Sequence, residues 1–204
     1  MLFRMTKYTK LPEKSNSKKK IRKRKFEKAK GKFMLYKMKD EEFEKVYKIM
    51  FESFPVDERR TFDEQIELLS NPLFEIFVWK DENAGDVKGF ISIYRLEEFC
   101  FLEHFAVSEK YRNEEIGRSV LEKLLEWQEK VCLEVEPPVT EQARRRIEFY
   151  RRNGFYLNEY PYMQPSISKG TKSVPLMIMT NGGKIDESEF LHVKNELYSK
   201  VYRL

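Results

Sequence analysis

The amino-acid sequence predicts an α/β domain built on a mixed sheet. From residue 34 onward, apolar runs of strand-like composition alternate with segments whose apolar residues recur at helical spacing. The chain has 204 residues, 41% of them hydrophobic, which is enough to fill a single core. No internal repeat interrupts this pattern. We therefore expect one layered domain after residue 33.

The charge divides the chain into two parts. Residues 1–33 carry 14 Lys/Arg against 2 Asp/Glu, whereas the remaining 171 residues carry 25 against 32. The first part is predicted to be disordered, because it has too little apolar surface to offset the cost of ordering. A solvated leader, or sequence upstream of a true start at Met34, is favoured over a weak contact with RNA, anionic lipid or another polyanion. The acidic remainder does not suggest a nucleic-acid-binding domain.

The first globular segment predicts a strand and two helices. MLYKM, from Met34, alternates like a short strand, and Asp40 is placed to cap the helix that follows. That helix ends before Pro55, and a second one is predicted from Phe62 to about Ser70. The inward face of the first helix is predicted to hold Phe43, Val46, Tyr47 and Met50.

The middle of the chain predicts strands and helices in alternation. Residues 73–80, 87–98 and 99–108 have the composition of strands, and a helix follows over 116–130. The inward face of this helix is predicted to hold Val120, Leu121, Leu124 and Trp127. After it come a short buried strand at 131–136, a helix at 141–152, and final strands at 154–160 and 174–180.

The C-terminal residues predict one more helix. Asp186 and Glu189 have the spacing of a capping box. An apolar stripe follows at helical spacing, made of Phe190, Val193, Leu197 and Val201. Docking of this stripe on its own domain is favoured over a dimer contact. The predicted boundaries are thus 34–182 for the main domain and 183–204 for the added amphipathic helix.

Cysteine and histidine usage limits the chemistry. Cys100 and Cys132 lie in apolar runs, so they are expected to be buried and reduced, as fits the cytoplasm. His104 and His192 complete no metal spacing or catalytic triad, and we expect no metal. No apolar run approaches the ~20 residues that span a bilayer, and no signal peptide is apparent.

Two motifs point to a function. FLEHFAVSEK runs into YRNEEIGRSV, so a strand feeds the start of a helix, where free backbone N–H groups can hold a phosphate. ARRRIEFYRRNGF follows, with Tyr150 four residues before Gly154. From about Met34 to Thr180 these residues resemble the GNAT superfamily of N-acetyltransferases. The resemblance implies a GNAT-like mixed central sheet with helices on both faces.

The same resemblance implies acetyl-CoA as co-substrate. Its pyrophosphate would lie on the turn made of Arg112, Asn113, Glu114, Glu115, Ile116, Gly117 and Arg118. The family pattern has a glycine where Glu115 stands, and this departure puts a carboxylate beside a phosphate site. The pantetheine arm would extend along Phe105, Ala106 and Val107, as an added strand would.

The resemblance also implies direct transfer of acetyl to an amine, which needs a base and an acid. Glu103 matches the base position, and strand alternation sends it toward the cofactor side. Tyr150 matches the tyrosine that protonates the departing thiolate. Each has a structural alternative, an arginine partner for Glu103 and a core position for Tyr150, and function is favoured for both. His104 is predicted to point to the opposite face from Glu103, as a structural residue.

Two segments are expected to surround the acceptor. They are residues 54–61, with Glu58, and 160–174, with Tyr162. The acceptor could be a small-molecule or a protein amine, and the oligomeric state is open. The alternative function is a non-catalytic GNAT-like module that binds an acyl-CoA or a protein, with a polyanion-binding tail. Glu115 is the residue that favours this alternative.

Overall fold

A seven-stranded sheet forms the centre of the computed structural model, which describes residues 34–80, 86–112 and 116–204. The strands are β1 (Leu35–Lys37), β2 (Phe74–Lys80), β3 (Val87–Arg95), β4 (Cys100–Val107), β5 (Val131–Val135), β6 (Phe155–Gln164) and β7 (Val174–Asn181). The helices are α1 (Phe43–Ser53), α2 (Phe62–Leu68), α3 (Ile116–Trp127), α4 (Glu141–Arg152) and α5 (Glu187–Glu196). Short 3₁₀ turns at Asp40–Glu42, Val56–Glu58 and Glu109–Tyr111 and a π-helical turn at Leu197–Val201 complete the described elements.

The sheet confirms the predicted mixed architecture. Its strand order is β1-β2-β3-β4-β5-β7-β6. β4 and β5 pair in parallel, and the other neighbours pair antiparallel. Helices cover both faces, and a C-terminal helix is present, as the sequence predicts.

β4 and β5 separate after a short stretch of pairing. Their register covers only three pairs, from Cys100 with Val131 to Leu102 with Leu133. β4 nevertheless continues to Val107 and β5 to Val135. The sheet therefore opens between these strands, and backbone groups of β4 beyond Leu102 have no β5 partner.

A bulge on β4 lies at the point of separation. Ser92 of β3 pairs with His104, and Ile93 pairs with Leu102, so Glu103 is the extra residue on β4. A bulge interrupts the alternation of side chains and increases the local twist. Side chains on either side of Glu103 therefore do not follow strict alternation.

The core lies on the sheet and includes the C-terminal segment. Tyr94, Phe90, Phe101 and Met50 are among its largest fully buried side chains. The predicted C-terminal stripe, made of Phe190, Val193, Leu197 and Val201, is buried in the same cluster. The capping box also forms, since the Asp186 carboxylate accepts from the Glu189 amide at 2.9 Å. The stripe thus docks on its own domain.

Some local expectations are wrong in detail. Trp127 is 41% exposed and packs by its ring on Phe77, because it ends α3 where the helix leaves the core. Asp40 does not cap α1, since it begins the 3₁₀ turn Asp40–Glu42 that precedes the helix. β6 continues to Gln164, so the first residues of the predicted 160–174 loop are strand. The predicted leader, residues 1–33, lies outside the described residues, as do Asn113, Glu114 and Glu115.

Candidate active site

An inner cavity of about 240 Å³ lies where β4 and β5 separate. Its wall on one side is β4 from Leu102 to Val107, and on the other side it is β5 with the residue that follows, Glu136. Other lining residues come from distant parts of the chain and include Glu58, Gln142, Tyr150, Gln164, Ile167 and Tyr202. We call this space the inner cavity.

Tyr150 reaches the inner cavity from α4. Thr140 begins that helix with a side-chain cap, and Gly154, at φ +88°, lets the chain turn directly after it. The tyrosine is 8% exposed, and its hydroxyl makes no hydrogen bond within the part of the chain that the structure describes. Burial raises the pKa of Tyr150 to about 12, so at neutral pH it holds its proton. It is an available donor.

Glu103 is held in a buried ion pair. Arg60 Nη1 donates to Glu103 Oε1 at 2.7 Å, and the two side chains are 9% and 3% exposed. Burial alone would raise the pKa of Glu103, but Arg60 and the adjacent His104, through their charges and hydrogen bonds, together outweigh burial and hold the pKa at about 2. Glu103 therefore has the arginine partner that was its structural alternative in the sequence analysis. A carboxylate so well stabilised is a weak base at neutral pH.

His104 lies beside Glu103 rather than on the opposite face. His104 Nδ1 is 3.2 Å from Glu103 Oε2, which contradicts the prediction from alternation. The bulge at Glu103 is the physical reason. The imidazole is fixed by Nε2, which donates to the Glu58 carbonyl at 3.0 Å, and by edge packing on Phe54. Ser92 Oγ lies 3.0 Å from Nδ1.

Glu134, the first residue of β5 beyond the paired stretch, faces the inner cavity. Tyr202 donates its hydroxyl to Glu134 Oε2 at 2.8 Å, and Tyr162 donates to Oε1. Burial raises the pKa of Glu134 to about 7, although both hydrogen bonds oppose this effect. A buried carboxyl that titrates near neutrality is a functional-site candidate. Sequence inspection did not single it out.

Of the two predicted acceptor-side residues, one lines the inner cavity directly. Glu58 lines it, and burial together with the nearby Glu136 raises the pKa of the Glu58 carboxyl. Tyr162 does not line it, since it is 6% exposed and reaches the site through Glu134. The residues near it that do face the cavity are Gln164 and Ile167.

The two predicted acceptor segments are tied to each other. Gln164 Nε2 donates to the Asp57 carbonyl at 3.2 Å, and the Lys172 amide donates to Asp57 Oδ1 at 2.9 Å. Ser168 Oγ donates to Glu64 at the start of α2. These bonds join residues more than a hundred positions apart, so the segments form one continuous wall.

An arginine-rich groove of about 720 Å³ lies beside the inner cavity. Phe105, Val107, Arg112, Arg146 and Tyr150 line both spaces. The groove adds Arg118, Arg145 and Arg152 to its cationic wall, and we call it the arginine groove. It concentrates positive charge at the beginning of α3, where an anion is stabilised.

Predicted cofactor residues lie on this groove. Arg112 is exposed and donates from Nε to the Val107 carbonyl at 3.3 Å. A Cβ on Gly117 would be 3.1 Å from the Phe149 ring, so glycine permits the close approach of α3 to α4 here. Ile116 and Arg118 also line the groove. Of the predicted turn, Asn113, Glu114 and Glu115 lie outside the described residues.

Comparison with known proteins identifies the family. Residues 41–155 match the model of the acetyltransferase (GNAT) family. This match spans more than half of the chain, which therefore belongs to that family. A GNAT-family protein from Bacteroides thetaiotaomicron is 31% identical, with a TM-score of 0.77 over 84% of this chain and 99% of the other. No curated protein matches the sequence.

More distant structures share the fold. One is the ribosomal-protein-S18-alanine N-acetyltransferase of Escherichia coli, 17% identical, with a TM-score of 0.55 over 76% of this chain and 96% of the other. Another is spermidine N-acetyltransferase from Vibrio cholerae in complex with CoA and spermine. It is 13% identical, with a TM-score of 0.54 over 78% of this chain and 98% of the other.

The described residues fit acetyl-CoA, which GNAT acetyltransferases use. β4 has no β5 partner along Phe105–Val107, and the arginine groove lies at the end of that strand. Within the described ranges, no group of three or more His, Cys, Asp or Glu side chains could hold a metal ion. Cys100 and Cys132 are buried free thiols, and no described helix is long and apolar enough to cross a membrane.

Proposed function

We propose that this protein transfers an acetyl group from acetyl-CoA to a primary amine by direct attack. The observation that carries the proposal is Tyr150, a buried proton donor whose hydroxyl has no described partner. It lies between the arginine groove and the inner cavity. Membership of the GNAT family gives the reaction class.

The arginine groove would hold the coenzyme's phosphates. Arg112 and Arg152 have no carboxylate partner within the described ranges, whereas Arg145 pairs with Glu141 at 2.9 Å. The pantetheine arm would extend from there along Phe105, Ala106 and Val107. A backbone N–H of that strand would stabilise charge that develops on the thioester oxygen. When bound, the coenzyme supplies the thioester that is cleaved.

Tyr150 would act as the acid. Its raised pKa keeps the hydroxyl protonated throughout the physiological range, and its position at the junction of the two spaces suits the departing sulfur. General acid catalysis of this kind contributes about 10²–10⁴-fold in rate. Glu103, the predicted base, has its basicity lowered by Arg60. We therefore assign Glu103 to holding Arg60 and the 54–61 segment against the sheet.

The acceptor would approach through the inner cavity. Glu58, Glu134 and Glu136 line it, and they favour an amine that arrives as a cation. Glu136 already pairs with Arg146 at 2.7 Å, so Glu58 is the carboxylate more open to the amine. Small-molecule and protein amines both remain within the proposal. The cytoplasmic location remains a prediction from the sequence, and a weak polyanion contact of residues 1–33 remains the less favoured alternative.

The proposal is tested by release of free CoA thiol from acetyl-CoA in the presence of a panel of amines. The panel should include short diamines, monoamines of equal length, and peptides with free N-termini or lysines. Tyr150→Phe should lower kcat by about 10²–10⁴-fold while leaving acetyl-CoA affinity nearly unchanged. Tyr156→Phe, which alters an exposed tyrosine on β6, is the matched control. Full turnover in Tyr150→Phe would remove this residue from the mechanism.

A further inference from the structure

Glu134 has the geometry of an active carboxylate. It follows directly after the last β5 residue paired with β4, so its side chain enters the space created by the separation of the strands. Tyr202 donates to both of its oxygens, at 3.0 and 2.8 Å, and Tyr162 donates to one. No arginine or lysine pairs with it among the described residues. The two tyrosine hydroxyls thus orient the Glu134 carboxylate, and no described arginine or lysine neutralises its charge.

We propose that Glu134 is the base that removes the proton from the acceptor amine, and that Tyr162 and Tyr202 position it. This inference rests on the proposed acetyl transfer. Glu134 takes the place of Glu103 as the proposed base, because Glu103 is paired with the Arg60 cation, whereas the described partners of Glu134 are neutral tyrosine hydroxyls.

Titratable and charged groups surround Glu134. They are Glu103 and His104 on β4, Cys132 on its own strand, Tyr162 on β6, and Tyr198 and Tyr202 near the C-terminus. Glu58, Glu136, Arg146 and Tyr150 line the same inner cavity. Burial raises the pKa of Glu134 to about 7, with Glu103 adding repulsion and the two tyrosine hydroxyls opposing. A base is most effective when its pKa lies near the working pH.

The proton transfers balance as follows. An acceptor that arrives as an ammonium ion first loses one proton to solvent. The neutral amine nitrogen then forms a bond to the acetyl carbon and loses its second proton to the Glu134 carboxylate. The carbon–sulfur bond of the thioester breaks, and its electron pair goes to the sulfur. The Tyr150 hydroxyl gives its proton to that sulfur and recovers one when the Glu134 proton is released through solvent. The products are the N-acetylated amine and CoA.

The C-terminal segment is thereby part of the site. The family match ends at residue 155, so Tyr162 and Tyr202 both lie beyond it. Tyr202 follows the π-helical turn at Leu197–Val201, where Leu197 is fully buried. A π turn displaces the side chains that follow it, and such turns are frequent at functional sites. Here Tyr202 directly after the turn reaches Glu134, 68 residues earlier in the sequence.

The pH dependence of kcat/KM tests the base directly. The wild-type protein should lose activity as the pH falls through about 7, because the Glu134 carboxylate becomes protonated. Glu134→Gln keeps the shape of the side chain and should lower kcat by about 10²–10⁴-fold, with that acidic limb abolished. A Glu134→Gln protein with wild-type activity and an unchanged acidic limb would overturn the inference.

Tyr202→Phe tests the positioning role. Its hydroxyl stabilises the charged carboxylate, so removing the hydroxyl should raise the pKa of Glu134 and move the acidic limb to higher pH. Tyr198→Phe is the matched control, because Tyr198 lies in the π-helical turn that Tyr202 follows but donates its hydroxyl to the Met163 carbonyl at 2.5 Å. An acidic limb that stays in place in Tyr202→Phe would remove Tyr202 from this role.

A second readout does not require turnover. In protein labelled with ¹³C at the glutamate carboxyl carbon, one resonance should titrate near pH 7, disappear in Glu134→Gln and titrate higher in Tyr202→Phe. If that resonance is found but no amine is acetylated, the proposed function fails and the base inference falls with it. If amines are acetylated but no carboxyl titrates near neutrality, only the assignment of Glu134 is wrong.

Discussion

Glu103 and Glu134 lie on neighbouring strands, yet their surroundings shift their pKa values in opposite directions. Despite burial, Arg60 and His104 together hold the pKa of Glu103 at about 2, whereas burial with no arginine or lysine partner among the described residues raises the pKa of Glu134 to about 7. The first residue therefore contributes stability, and the second is suited to exchange protons. The sequence alone favoured Glu103, because this residue matches the position of the base in the family. The sequence does not reveal that Arg60, 43 positions earlier, is its partner.

The Arg60–Glu103 pair predicts a large effect on stability. Arg60→Met leaves the buried Glu103 carboxylate without its cation, and such a loss costs about 3–5 kcal/mol. Urea unfolding at pH 7 measures it. Arg59→Met is the control, since the neighbouring guanidinium stacks on Phe51 and bonds only a carbonyl and a tyrosine hydroxyl. Equal effects of the two substitutions would contradict a special contribution from the buried pair.

The raised pKa of Glu134 predicts that this residue's contribution to the free energy of unfolding falls as the pH rises. Its folded-state pKa of about 7 lies above the ordinary glutamate value of 4.5, so between these pH values the folded state binds a proton that the unfolded state has lost. Its contribution to stability is present below pH 4.5 and is lost as the pH rises through 7. Relative to wild type, Glu134→Gln should therefore gain about 1–3 kcal/mol between pH 4.5 and pH 8. Urea unfolding at both pH values measures this difference.

The order and type of the elements could be predicted because each has a clear local signal. α4 begins after a capping threonine and ends at Asn153-Gly154, and the structure gives the predicted bounds, Glu141–Arg152. The Asp186 capping box likewise forms as predicted. Local patterns do not reveal that β7 lies between β5 and β6, or that Glu103 forms a bulge. Both depend on pairing between distant segments.

Close packing of β3 on β4 predicts the effect of a small substitution. A Cβ on Gly89 would be 2.7 Å from the Ala106 carbonyl oxygen, so Gly89→Ala must push the two strands apart. We expect a loss of about 1–3 kcal/mol in the free energy of unfolding. Because Ala106 lies on the strand proposed to hold the pantetheine arm, acetyl-CoA affinity should fall as well. Calorimetric titration measures the affinity, and an unaltered value would argue against that path for the coenzyme.

At the scale of the whole molecule, the site is assembled from side chains that are distant in sequence. Glu58 precedes α2, Glu134 lies on β5, Tyr150 on α4 and Tyr202 near the C-terminus, and all four line the inner cavity. The motifs at Arg112 and Tyr150 could be found because they are local patterns of the family. Tyr202 and Arg60 carry no such pattern, and only the folded chain brings them to the site.

The central claim is that this fold binds acetyl-CoA as a reactant. The most direct test is thermal unfolding of the purified protein with and without acetyl-CoA, with ATP as the control for phosphate binding alone. At about one hundred times its dissociation constant, the ligand should add roughly 2.7 kcal/mol to the free energy of unfolding. A clear rise in Tm with acetyl-CoA and little or none with ATP is the predicted result. No rise with acetyl-CoA, or an equal rise with ATP, would contradict the proposed use of the arginine groove and of β4.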